Sequence, residues 1–169
     1  MRFDPNDRIK SVCDLLKGES FEIYSNSDEE YDYLEDGDHC ICVGNHTDER
    51  GGSDLYLDLE QDGVTLTLGD WDAHYEATEA DFRLMLRELS GLLHNRIFLA
   101  MIYQKKKWLC SFTVEEAEDG PAGKEKLKRL TLDFLNSADR ADLAEAVKKG
   151  GCQAHCRYWD NSRNRRVEI

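Results

Sequence analysis

Two runs of alternating leucine joined by a short turn constrain this chain more than any other feature. Leu55, Leu57 and Leu59 alternate with polar residues, Asp62-Gly63 follows, and Val64, Leu66 and Leu68 alternate on the return. A period of two puts one strand face in a core, and Asp-Gly is a favoured two-residue hairpin turn. Leucine is not a strong strand former, so pattern outweighs propensity here. A second pair of apolar runs, 97–103 and 107–114, brackets Gln104-Lys105-Lys106 and predicts another antiparallel hairpin.

Helices are punctuated as clearly. Asp4 is placed to cap, Pro5 suits the first helical position, Asp7 favours the positive helix end, and Ile9, Val12, Cys13 and Leu16 repeat at helical spacing before Gly18. Thr78 opens the longest helix with Asp81 three residues on, in the capping-box position. Phe82, Met85, Leu86, Leu89, Leu92 and Leu93 form its apolar face, and Asn95 ends it. Residues 137–149 read as a further helix capped by Ser137, with Ala141, Ala144 and Val147 on one face and Gly150-Gly151 as its stop. Residues 127–135 fit both periods. Leu130, Leu132 and Phe134 suit a strand, Leu127, Leu130 and Phe134 a helix, and the reading leans to strand. Residues 21–24, 39–43, 152–159 and 165–169 complete the strands, with a turn at 160–164. Residues 44–53 and 115–126, the latter holding Gly120-Pro121, read as loops. The expectation is one α+β domain over residues 1–169, an antiparallel sheet of about six strands with helices packed mainly on one face. The 169 residues can bury a core without metal or disulfide staples.

Charge narrows the function. The chain has 22 Lys plus Arg against 35 Asp plus Glu, a net charge of −13. Residues 1–80 hold 5 basic and 22 acidic side chains, a net of −17, and residues 81–169 hold 17 and 13, a net of +4. An acidic chain lacks the basic footprint that phosphate backbones need, so no nucleic-acid partner is expected. Its field steers cationic partners, although solubility alone also favours acidity. No run of about 18 apolar residues predicts a membrane helix, and Met1 to Pro5 lacks a signal core, so a cytoplasmic location is expected.

The densest acids lie in 25–38. Asp28, Glu29, Glu30, Asp32, Glu35 and Asp36, with Asp38, interleave with Tyr31, Tyr33 and Leu34. Such a stretch is either an exposed loop or a contact segment whose aromatics pack on the Arg and Lys of a partner. A second polar cluster is Asp70, Asp72, His74 and Glu76. In an extended segment these would share one face, with Trp71 and Tyr75 on the other, and carboxylates with imidazole suit a transition metal or acid–base work. The cysteine pairs Cys40-x-Cys42 and Cys152-x3-Cys156 stand beside His39 and His155. They lack zinc knuckles and read as small buried hydrophobes. No GxSxG, Walker loop or GxGxxG is present, so neither an enzyme nor a cofactor is expected. Gly51-Gly52-Ser53 after Arg50 would cradle an anion only against the surrounding acids, and His46 and His94 stand alone. Lys105-Lys106-Lys107 is a basic hairpin tip and Arg163, Arg165 and Arg166 a basic tail, which protect strand ends or form a small patch. Trp71 and Trp108 would mark a small-ligand pocket against helix 78–94.

The run from Val64 to Tyr75, the helix after it, Ile97 to Tyr103, Lys107-Trp108-Leu109 and Tyr158-Trp159-Asp160-Asn161 resemble small acidic bacterial proteins of unassigned activity. Some of these are immunity proteins encoded beside polymorphic toxins. The resemblance covers about residues 55–113 and 152–169. It implies a non-catalytic binding protein that blocks a basic toxin domain by occlusion, and it assigns no binding residues. The expected contact set is therefore the one read from charge: Asp28, Glu29, Glu30, Tyr31, Asp32, Tyr33, Glu35 and Asp36. The alternatives are a metal-assisted enzyme using Asp70, Asp72, His74 and Glu76, and a small-ligand-binding domain.

Overall fold

A computed structural model describes residues 3–45, 54–116 and 123–169. His46, Arg50, Gly51-Gly52-Ser53 and Gly120-Pro121 lie outside the described residues. The chain is α+β, and among the described residues it has four α-helices and two antiparallel sheets in place of one sheet of about six strands. It divides into two compact units, residues 1–90 and 91–169.

The first unit opens with α1 (Pro5–Leu15), where the Asp4 carboxylate accepts from the Asn6 N–H at 2.9 Å. A five-stranded meander follows in sequence order: β1 (Phe21–Tyr24), β2 (His39–Val43), β3 (Leu55–Glu60), β4 (Gly63–Leu68) and β5 (Trp71–Glu76). The pairing aligns Ile23, Ile41, Leu57, Leu66 and Ala73 in one row and Phe21, Val43, Leu55, Leu68 and Trp71 in another. These rows form the inner face, on which Ile41, Leu55, Leu57 and Leu66 are fully buried. Every residue between them faces outward. The leucine hairpin is as expected, but its turn is shifted by one residue. Glu60 pairs with Gly63 around Gln61-Asp62, and Gly63 lacks positive φ. Space is what requires glycine there, because a Cβ would lie 2.2 Å from the Tyr75 carbonyl oxygen. The helix α2 (Glu79–Leu93) begins in this unit. Thr78 Oγ1 accepts from the Asp81 N–H at 3.1 Å, which is the expected cap, and donates to the Asp81 carboxylate. The Thr78 N–H donates to the Glu76 carbonyl instead of Asp81, so the reciprocal half of the capping box does not form.

The second unit contains the end of α2, where Asn95 adopts φ 56° as the stop. Its sheet has the order β7 (Lys107–Glu115), β6 (Ile97–Gln104), β8 (Cys152–Arg157), β9 (Arg165–Glu168). Phe98, Ala100 and Ile102 of β6 share a face with Cys110, Phe112 and Val114 of β7 and with Ala154 and Cys156 of β8. That face joins one apolar cluster with Leu127, Leu135, Ala144 and Val147 of two helices, α3 (Lys124–Ser137) and α4 (Ala141–Lys148).

The segment 127–135 is thus helix, not strand. Its buried stripe is Leu127, Thr131 and Leu135 at spacing four, with Thr131 Oγ1 donating to the Leu127 carbonyl at 2.7 Å. Ser137 ends α3 instead of capping the next helix, and α4 starts at Ala141 with no side-chain cap. Cys110, Cys152 and Cys156 are free and buried in the cluster, as small hydrophobes.

Candidate functional site

The outer face of the five-stranded sheet carries two polar rows. Tyr24, Cys40, Asp58, Thr65 and His74 stand in register across all five strands, and Glu22, Cys42, Tyr56, Thr67 and Asp72 form the next row. Glu60 and Glu76 flank Gly63 at the end. None of these strands contains Lys or Arg, and neither does the segment 25–38. The alternation that buries leucine on one face therefore collects carboxylates and phenols on the other.

The acidic segment is anchored to this face. Asp28 accepts from the Ser25 N–H at 2.8 Å and nucleates a 3-10 turn, Glu29–Tyr31. Tyr31 stacks on Tyr24, with ring centres 4.3 Å apart and planes 9° from parallel. Tyr33 leans on Tyr31 at 6.0 Å, and Leu34 is buried. Two of the eight expected contact residues, Asp28 and Tyr31, are therefore half-buried and hold the segment in place. The other six, Glu29, Glu30, Asp32, Tyr33, Glu35 and Asp36, are exposed, and the Tyr33 ring is 63% accessible.

Strand residues extend the site beyond the expected set. Glu22, Tyr24, Tyr56, Asp58 and Glu60 belong to it. The alternation Tyr56, Asp58, Glu60 opposite three leucines was the signal that could have revealed the last three. The Tyr24 hydroxyl donates to Glu22, which pushes that phenol up, followed by burial. Burial pushes the Tyr56 phenol up to about 12, with its hydrogen bond to Cys42 second. The Cys40 thiol is buried and donates to Asp58. Burial, then that bond, raises it. These hydroxyls and thiols remain protonated near neutral pH, so the charge of the face comes from its carboxylates. Those carboxylates oppose one another: burial, then Asp62, Asp58 and Asp38, raises Glu60. Asp38 is buried, and its Oδ1 has no hydrogen-bond partner among the described residues. Its carboxyl is raised chiefly by burial.

The second polar cluster is only partly assembled. Asp72, His74 and Glu76 are exposed on the outer face of β5, opposite the buried Trp71 and Tyr75. Asp70 lies in the turn before the strand and does not join them. His74 Nδ1 lies 3.2 Å from Thr65 Oγ1. Among the described residues, no group of three His, Cys, Asp or Glu side chains is arranged to hold a metal ion. Trp71 is buried and Trp108 is 54% exposed, its Nε1 donating to Ser111 at 2.8 Å. Among the described residues, no helix is long and apolar enough to cross a membrane. Compared with known proteins, the chain matches no family model, no curated protein and no solved structure.

Proposed function

We propose that this protein binds a cationic protein through the outer face of its five-stranded sheet, as an immunity-type inhibitor that covers the basic site of a toxin domain. One observation carries the reading: five strands and the segment docked on them present carboxylates and tyrosines without a single Lys or Arg. The described cations of this unit that form ion pairs do so from the helices or the turn that follows α1, Arg8 and Arg83 with Glu79 and Lys17 with Asp14. A carboxylate surface with mutual repulsion gains when Arg or Lys is laid against it. Tyrosine supplies contact area at low entropic cost and is enriched at interfaces. Glu29, Glu30, Asp32, Glu35 and Asp36 are the charged contacts in this reading, and Tyr33 is the anchor. Inhibition is by occlusion, needs no cofactor and takes place in the cytoplasm.

Stopped-flow association with a cognate toxin domain, sought among the products of neighbouring genes, tests the proposal. Raising salt from roughly 20 to 500 mM should slow association at least about tenfold, because steering is screened. The variant Glu29→Gln/Glu30→Gln/Asp32→Asn/Glu35→Gln/Asp36→Asn should bind more weakly while keeping its fold. An association rate indifferent to salt, or full binding by that variant, overturns the proposal.

A further inference from the structure

A cleft of about 560 Å³ opens on the second unit, at the end of the β6–β7 hairpin. Its cations are Lys105, Lys106 and Arg166, and Tyr103 and His155 form an aromatic wall with ring centres 4.6 Å apart. This volume lies within the range of small-molecule sites. Three details mark the cleft as a built arrangement.

The first is the turn. Lys105 and Lys106 have φ of 48° and 70°, the left-handed region at both loop positions. A two-residue hairpin of this shape favours Asn-Gly, so a turn selected for folding alone would not place two lysines there. The second is the set of terminal arginines. Arg163 pairs with Glu116 and lies over the Tyr158 ring, and Arg165 lies over the Phe98 ring, whereas Arg166 lines the cleft. The third is a relay that orients the histidine. Gln153 Nε2 donates to Glu168 at 2.6 Å, which directs its amide oxygen to His155 Nε2 at 2.7 Å. His155 Nε2 is then the donor, and Nδ1 is left as an acceptor. Burial and then Arg166 favour the neutral ring.

We propose that this cleft binds a small organic phosphate of mononucleotide size, its phosphate on Lys105, Lys106 and Arg166 and its ring and hydroxyls against Tyr103 and His155. Lysine and arginine together suit phosphate oxygens, and the Tyr103 and His155 rings, tilted 37° to one another, offer aromatic surface to a planar ring. A neutral imidazole accepts from a ligand hydroxyl or ring N–H. Glu168 also lines the cleft and carries a negative charge, with one oxygen occupied by the Gln153 amide, and the three cations outnumber it.

Calorimetric titration of the full chain with adenosine monophosphate, inorganic phosphate and adenosine tests the site. Adenosine monophosphate should saturate a single site, and both fragments should bind more weakly. Arg166→Gln should weaken it at least about tenfold. Lys106→Gly removes a charge while relaxing the strained turn, so it should also weaken binding yet melt no lower than the wild type. The variant with neutralised carboxylates at 29, 30, 32, 35 and 36 should bind it as the wild type does, which separates this site from the protein-binding face. Absence of saturable binding, or equal binding by Arg166→Gln and Lys106→Gly, overturns the proposal. Equal affinity for inorganic phosphate and the nucleotide would refute the role of the aromatic wall.

Discussion

Replacing Tyr31 by alanine tests whether residues 25–38 form a fixed surface on the sheet, which any binding role for their carboxylates requires. Tyr31 stacks on Tyr24, and Tyr24 sits beside the buried Cys40 in the same transverse row. Removing the ring deletes one stacked pair, worth about 0.5–1.5 kcal/mol beyond the area it buries. If thiol labelling proceeds through local opening, that loss raises the open population about 2- to 12-fold. The assay is alkylation under native conditions with peptide-level mass spectrometry, so Cys40 is resolved from the half-buried Cys13 and Cys42. Cys110, Cys152 and Cys156 are buried in the second unit and serve as references. Tyr31→Phe keeps the stack and should label as the wild type does. Cys40 labelling at the wild-type rate in Tyr31→Ala would refute the docking argument, because the segment would then contribute nothing to covering that row.

Three further expectations follow from the same geometry. Gly63→Ala should cost about 2–4 kcal/mol in urea unfolding, from overpacking against the Tyr75 carbonyl and a weakened ladder bond. Gly63→Asn should be no better, whereas tolerance of Asn would show that left-handed conformation, not space, requires the glycine. The Asp38 carboxyl is raised above its ordinary value of 3.8, so the folded chain holds this proton more tightly than the unfolded chain does. Its stabilising effect is present at acid pH and is lost as pH rises through the raised value. Asp38→Asn should accordingly raise Tm at pH 7 and lose that advantage near pH 4, and an advantage independent of pH would contradict the assignment. Leu57→Ala, at the fully buried centre of the five-stranded sheet, should cost about 2–5 kcal/mol, measured by chemical denaturation. A loss below about 1 kcal/mol would contradict its place in the core.

Much of the candidate site was legible because its signals are local. The charge split, the alternation on either side of residues 61 and 62, and the caps at Asp4 and Thr78 depend on neighbours within a few residues. The misreading of 127–135 has a definite cause. The buried helical stripe contains Thr131, a polar residue whose hydroxyl is satisfied by the carbonyl four residues earlier. Leu132 and Phe134, which suggested a strand, lie off that stripe, and Phe134 remains 37% exposed while stacking on Phe112. Hydropathy alone does not separate a back-bonded buried threonine from a surface one.

By itself the sequence determined that one half of the chain is strongly anionic, that its strands bury leucine on one face, and that two of its helices start where Asp4 and Thr78 cap them. Each of these follows from residue type and short-range spacing. Tertiary structure alone decided that Tyr31 returns to stack on Tyr24, that Asp70 falls outside the row of β5, and that Arg166 joins two lysines from a distant hairpin at one cleft. Register and chain reversal set these distances, and both depend on how whole strands pair, which no local pattern encodes.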